Sequence, residues 1–249
     1  IRNNENIYWK EIIRQGKFDI KPIKGILSII KRSKIDIIHA YLDTACFYGA
    51  IAKVMNPKLK FIASERNSYK SLNLFQKIHK PISHKVADLT IANSEKAINY
   101  LLHLGVRKSK IQVIFNGVET LKYRNIPESA LQKFRIDKRL PSGRNLLYVG
   151  RITFHKNQLD VLKAYSKSKI KETYKLVFFG NSNSVYMQVI ERYIQENNLQ
   201  DQVYIHEAVA DVELLYLLSD VVILFSDYEG TPNVVMEAMA AAKPIIASR

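Results

Sequence analysis

From residue 35 onward this chain alternates short apolar runs of four to six residues with longer stretches in which apolar side chains recur at helical spacing. No other feature restricts the fold as much. Strands joined through helices run parallel, and a parallel sheet needs helices over both faces. Strand-like runs lie at 35–39, 60–64, 89–92 and 111–115, then at 145–149, 174–179, 202–206, 221–224 and 244–247. Helical spacing marks 22–32, 45–55, 95–104, 158–168, 185–197 and 234–242. Ser94 is placed to cap the helix that begins at Glu95, and Pro232 stands where a first helical turn opens. The pattern predicts an α/β protein.

The series breaks once. Asn116-Gly117 is a turn signal after a strand, and 119–144 hold no clear strand, only a short helical stretch near 127–134 and a turn at Pro141-Ser142-Gly143. That sets a boundary near residue 125 and gives two Rossmann-like domains in series, 1–125 and 126–249. Charge changes at the same place. Up to residue 125 there are 23 Lys and Arg against 9 Asp and Glu, and beyond it 15 against 14, within a net charge of +15. The basic half suits an anionic surface, phospholipid or nucleic acid, although solvated surface lysines give the same imbalance. The single cysteine, Cys46, excludes an intramolecular disulfide framework and suits a reducing compartment. No apolar run approaches the roughly 18–20 residues of a membrane span. Ile1 and Arg249 read as cuts through a longer protein, truncated at both ends, with the first strand of the first domain missing.

Ligands of open parallel sheets bind at the carboxyl ends of the strands. Three such ends carry suggestive residues: Gly150 to Asn157, Gly180 to Ser184, and Phe225 to Asn233 leading into a helix with Glu237. Gly230 lets backbone approach a ligand, and the free N–H groups of the helix that Pro232 opens form an anion site. Glu237, one turn into that helix, suits the hydroxyls of a ribose, and Glu229 those of a sugar. Arg151 and Lys156 carry the charge to neutralise a diphosphate without a metal. Pro232 and Asn233 also suit a plain helix start, and Arg151 and Lys156 a solvated loop. A carboxylate at Glu237, on an otherwise apolar helix, needs a partner.

The segment Glu229-Gly230-Thr231-Pro232-Asn233-Val234-Val235-Met236-Glu237 resembles the E-x7-E motif of glycosyltransferase family 4. Gly150-Arg151 with Lys156 is similar to the family's G-R-x4-K segment, Asn116-Gly117-Val118 to its N-G-V segment, and Ala92-Asn93-Ser94-Glu95 to its A-N-S-E helix start. The resemblance implies a GT-B fold, two Rossmann-like domains facing a cleft, with the acceptor on the first and the nucleotide sugar on the second. It implies transfer with retention from a UDP- or GDP-linked sugar to a lipid-linked or polysaccharide acceptor in bacterial cell-surface glycan synthesis. No metal or cofactor is implied, since the nucleotide sugar is a substrate. By the same carry-over Arg151, Lys156 and Glu229 serve catalysis, the first two on the diphosphate and Glu229 on the transferred sugar. Glu237 takes the ribose, and Gly150, Gly230, Thr231, Pro232, Asn233 and Val234 complete the donor pocket. Tyr41 departs from the family, standing where a second histidine is usual after His39, and Ala242 replaces a common glycine. His39 itself reads as a core histidine at a strand end.

Two basic amphipathic stretches in the first half suit an anionic membrane surface: Lys21, Lys24, Lys31, Arg32 and Lys34 among isoleucines, and Lys70, Lys77, Lys80 and Lys85 around Leu72, Leu74, Phe75, Ile78 and Ile82. A core-facing helix with solvated lysines gives the same pattern. With the resemblance they imply a cytoplasmic protein attached peripherally to the inner face of the plasma membrane. A nucleic-acid-binding protein would explain the basic half but not Arg151, Lys156, Glu229 and Glu237 together, and no stacking aromatics interleave the lysines, so no nucleic acid is expected. A non-catalytic sugar-nucleotide-binding relative fits the substitution at Tyr41.

Overall fold

The computed structural model describes residues 7–8, 10–16, 19–66, 72–182 and 184–248. Lys70, Asn183 and the side chain of Ser184, all singled out above, lie outside the described residues. The chain divides into two compact units, Ile1–Phe115 and Asn116–Arg249. The break therefore falls after residue 115 rather than near 125. Its cause is packing: Val118 and Tyr123 join Phe134 and Tyr216 in a core of the second unit.

In the first unit α1 (Lys21–Arg32) precedes β1 (Ile37–Tyr41), α2 (Asp43–Met55), β2 (Lys60–Glu65), α3 (Leu74–Val86), β3 (Leu89–Ala92), α4 (Glu95–His103) and β4 (Ile111–Val113). The four strands are parallel and lie in chain order, β1-β2-β3-β4, with Ile38 opposite Phe61 and Ile62 opposite Leu89. Ser94 caps α4 by accepting from the backbone N–H of Ala97. At α3 Asn73 and Gln76 form a reciprocal capping box. Pro81 sits inside α3, where it removes one backbone donor, yet the helix continues.

The second unit holds α5 (Glu128–Asp137), β5 (Arg144–Val149), α6 (Gln158–Lys167), β6 (Tyr174–Phe179), α7 (Ser184–Glu196), β7 (Val203–His206), α8 (Val212–Leu218), β8 (Val221–Leu224), α9 (Asn233–Ala240) and β9 (Ile245–Ala247). Its five strands are parallel in the order β7-β6-β5-β8-β9. Both faces are covered. Leu146, Tyr148, Leu176 and Phe178 point into one core, and their neighbours Leu147, Val177 and Phe179 into the other. From β5 the chain steps outward one way to β6 and β7; β8 returns to the other side of β5 and steps on to β9. The loops after β5 and β8 thus diverge at a switch point, where open parallel sheets leave a crevice. Asp220 locks the two strands at their opposite ends by accepting from the backbone N–H of Asn145, and Asp88 does the same for Phe61 of β2.

The first unit corrects one expectation. Lys80 does not belong to an exposed basic face. Its side chain is 1% exposed, with Nζ 2.6 Å from Glu65 Oε2 and 2.8 Å from Asp43 Oδ1. Glu65 closes β2 and Asp43 opens α2, so two strand-end carboxylates draw the ammonium inward, where it also lies 5.3 Å above the Tyr100 ring. Together the carboxylates push the Lys80 ammonium further up in pKa despite its burial. Removing one member of such a group strands the others. Lys80→Met is expected to cost about 3–5 kcal/mol of stability, read as the midpoint of urea unfolding.

Candidate functional site

The loop after β5 is shaped by a close backbone approach. Gly150 has φ +156, its N–H donates to Phe179 O, and a Cβ on Gly180 would overlap the carbonyl of Gly150. Ile152 N then donates to Asn181 O at 3.0 Å, which ties the loop to the end of β6. A 3-10 turn at Phe154–Lys156 ends in Asn157, held at φ +51, and α6 begins there. Two buried side chains fix the backbone from below. The Gln158 amide donates to Arg151 O at 2.9 Å, and the Tyr148 hydroxyl donates to Lys156 O at 2.5 Å. Tyr148 is fully buried, and burial pushes its phenol up to about 12, so it stays a donor.

The loop after β8 is clipped to the first. Asp227 N donates to His155 O, and Asn157 Nδ2 donates to Asp227 Oδ1, both at 2.9 Å. The rings of His155 and Tyr228 stack with centroids 5.4 Å apart. Beside them Lys156 Nζ forms an ion pair with Glu229 Oε1, with the two side chains 16% and 27% exposed. Burial, with Lys156 and Arg151 nearby, holds the His155 imidazole below its usual range, so it is neutral at physiological pH.

Past Gly230 and Thr231 the chain enters α9 through Pro232, which occupies the N-cap (φ −74) rather than the first helical turn. No side chain caps the helix; Val235 N–H donates to Pro232 O, and the first-turn N–H groups before it have the arrangement that suits an anion. Asn116 steadies this entry, with Nδ2 donating to Asn233 Oδ1 at 2.8 Å and, at 3.5 Å, to Thr231 O. Val234 packs into one core and Val235 against the other, which fixes the rotation of α9. Glu237, one turn on, accepts from the Tyr216 hydroxyl at 2.7 Å.

The structure brings Lys156 directly to Glu229 and runs Gly230 to Val234 continuously into α9. Arg151 is exposed and makes no ion pair among the described residues. Of the residues that hold these groups, sequence reasoning missed Tyr148 and Tyr216. Asn157, Asp227 and Tyr228 entered only as members of the strand-end segments, with no role given, and Asn116 only as part of a turn and of the N-G-V segment. In the first unit His39 is corrected. It is exposed on β1, with Nε2 2.7 Å from Ser64 Oγ and its ring 4.2 Å from that of Tyr41. Among the described residues no group of three or more His, Cys, Asp or Glu could hold a metal ion.

Comparison with known proteins matches each half to a family. Residues 132–249 match the glycosyl transferases group 1 family, and 7–121 match glycosyltransferase family 4. An uncharacterized glycosyltransferase of Methanocaldococcus jannaschii is 25% identical over 247 residues, covering 92% of this chain and 59% of that protein. The N-acetyl-alpha-D-glucosaminyl L-malate synthase of Bacillus anthracis is 20% identical over 277 residues, covering 98% and 66%. Among solved structures, Anabaena HepE in complex with UDP-glucose superposes with a TM-score of 0.81 at 21% identity, covering 90% of this chain and 62% of that one. The chain thus spans about three fifths to two thirds of the length of these proteins. The shared fold is the GT-B class of parallel α/β units.

The packing of Gly150 on Gly180 is the tightest constraint on the first loop. Gly180→Ala is expected to destabilise the second unit by about 1–3 kcal/mol, as overpacking against backbone does, measured by chemical denaturation.

Proposed function

Because this chain belongs to the group 1 and family 4 glycosyltransferases, one matched by each half, we propose that it transfers a sugar from a nucleoside diphosphate sugar to an acceptor, with retention of configuration. The observation that carries this reading is the Lys156–Glu229 ion pair beside the uncapped start of α9, at the switch point of the second sheet. The donor diphosphate takes the α9 N–H groups together with Lys156 and Arg151. Lys156 then exchanges Glu229 for phosphate, which releases the Glu229 carboxylate to a hydroxyl of the sugar. Negative charge growing on the departing diphosphate is met by groups already in place, which is how a fixed site lowers such a barrier. Glu237 accepts from the ribose. The first unit supplies the acceptor side. The UDP-glucose bound by the Anabaena protein supports a UDP-linked donor.

The acceptor proposed is lipid-linked or polysaccharide, in bacterial cell-surface glycan synthesis, with the protein held at the inner face of the plasma membrane. No helix among the described residues is long and apolar enough to cross a membrane. Two helices compete for surface attachment, and exposure separates them. Helix α1 spends Ile23 and Ile30 on the core, with Ile26 and Leu27 packed beside them. Helix α3 instead leaves Leu74, Ile78 and Ile82 on its surface at 74%, 57% and 55% exposure, one turn apart and next to exposed Lys77 and Lys85. That apolar ridge with a basic margin favours α3.

Thermal-shift titration with UDP, GDP, ADP and their sugar derivatives tests the donor site. One nucleotide is expected to stabilise the protein, and Lys156→Ala to weaken its binding by about tenfold or more, the worth of a lost charge-assisted hydrogen bond. No shift with any of them in the complete protein overturns the reading. For the surface, vesicle sedimentation is expected to show binding to anionic but not neutral lipid, abolished by Ile78→Asp with Ile82→Asp. Equal binding to both lipids removes the electrostatic part.

A further inference from the structure

Tyr216 belongs to the second unit's core yet ends at the candidate site. It lies on α8, fully buried among Leu147, Val177 and Phe179, with its ring 6.2 Å from that of Tyr123. Only the hydroxyl meets a polar group: it donates to Glu237 Oε2 at 2.7 Å, the length of a strong O–H···O⁻ bond. The other carboxylate oxygen, Oε1, accepts no hydrogen bond from a described residue. Burial, then the bond to Glu237, raises the Tyr216 phenol far above its usual range, which keeps the proton on the tyrosine.

A glutamate on a half-buried helical position has several rotamers open to it. One fixed donor selects a single rotamer and commits one oxygen, leaving the second aimed by default. We propose that Tyr216 is the positioning residue for Glu237, and that it sets the preference of the nucleotide site for a ribose over a deoxyribose. The inference rests on the donor-site reading above. A carboxylate held in one orientation accepts from a ribose hydroxyl without first losing side-chain freedom, so the ribose bond gains most from the tyrosine. The diphosphate, which lies on Lys156 and the start of α9, gains nothing from it. Selective loss is the signature that separates positioning from simple support of the core.

The test is isothermal titration calorimetry of the complete protein with UDP, GDP and ADP. The best ligand is then compared with its 2′-deoxy and 3′-deoxy analogues and with inorganic pyrophosphate. Tyr216→Phe, which keeps the ring, is expected to weaken the ribonucleotide about five- to tenfold, leave pyrophosphate within about twofold, and shrink the ribose-to-deoxyribose preference. In a Glu237→Ala background, which removes the acceptor, Tyr216→Phe is expected to add little, because the two act through one bond. Glu237→Asp keeps the charge but draws the carboxylate away from the tyrosine, and the same selective loss is expected there should Tyr216→Phe fail to fold. Equal weakening of nucleotide and pyrophosphate, or an unchanged ribose preference, overturns the inference alone. A wild-type protein that binds none of the three nucleotides overturns it together with the donor-site reading.

Discussion

The ladder that pairs β5 with β6 on one side and β8 on the other decides where every functional group of the second unit can stand. Those strands are parallel, so each ends at the same edge, and the chain leaves β5 and β8 in opposite directions. The space so opened receives two loops: they meet backbone on backbone where the Asp227 N–H donates to the His155 carbonyl, and Gly150 of the first packs on Gly180 at the end of β6. Cores on both faces hold the strands, so the register of the ladder passes directly into the placement of Lys156 and Glu229. A shift of one residue would exchange the side chains that fill the two cores.

Both units carry a lysine paired with acidic groups, and the physical setting gives them different work. Lys80 is sealed between Glu65 and Asp43 at 1% exposure. Desolvation of all three groups is offset by their mutual contact and by neighbours such as Gln76, which donates to Asp43, so removing any of them strands the rest. Lys156 and Glu229 remain partly open to water. A pair in that setting keeps part of its hydration, which suits the exchange proposed for an incoming diphosphate. The same chemistry is structural in one place and exchangeable in the other, and exposure makes the difference.

How far the sequence reveals this follows from the range of the interactions. Apolar runs and helical spacing are local, so the strands from β1 to β9 stand close to where the pattern puts them. Helix α8 escaped because Val212 to Leu218 is apolar on nearly every side and has no period to detect. Helix α3 was legible only as a basic amphipathic stretch, because Pro81, a residue that usually ends a helix, lies inside it. Glu229, Lys156 and Glu237 were legible as residue types at strand ends. Their partners were not. Nothing near Lys80 in the chain announces Asp43, 37 residues away, and nothing near Glu237 announces Tyr216. The break between units moved for the same reason, since Tyr123 is tied to its unit by packing against distant residues rather than by a local signal.

The two loops are fixed through backbone groups, and that choice leaves the charged side chains free to act. Tyr148 holds the carbonyl of Lys156, Gln158 that of Arg151, and Asp227 that of His155. None of these bonds uses the guanidinium or the ammonium. His155 contributes by remaining uncharged: burial disfavours its protonated form, and so do the neighbouring cations. Its folded pKa lies below the unfolded value, so the stability it supports is complete above the unfolded pKa and fades as pH falls through the folded one. At neutral pH His155 is therefore the neutral ring that stacks on Tyr228. A rigid frame of this kind keeps the loop ordered before any ligand arrives, so ordering it consumes none of the free energy the proposed diphosphate contacts supply.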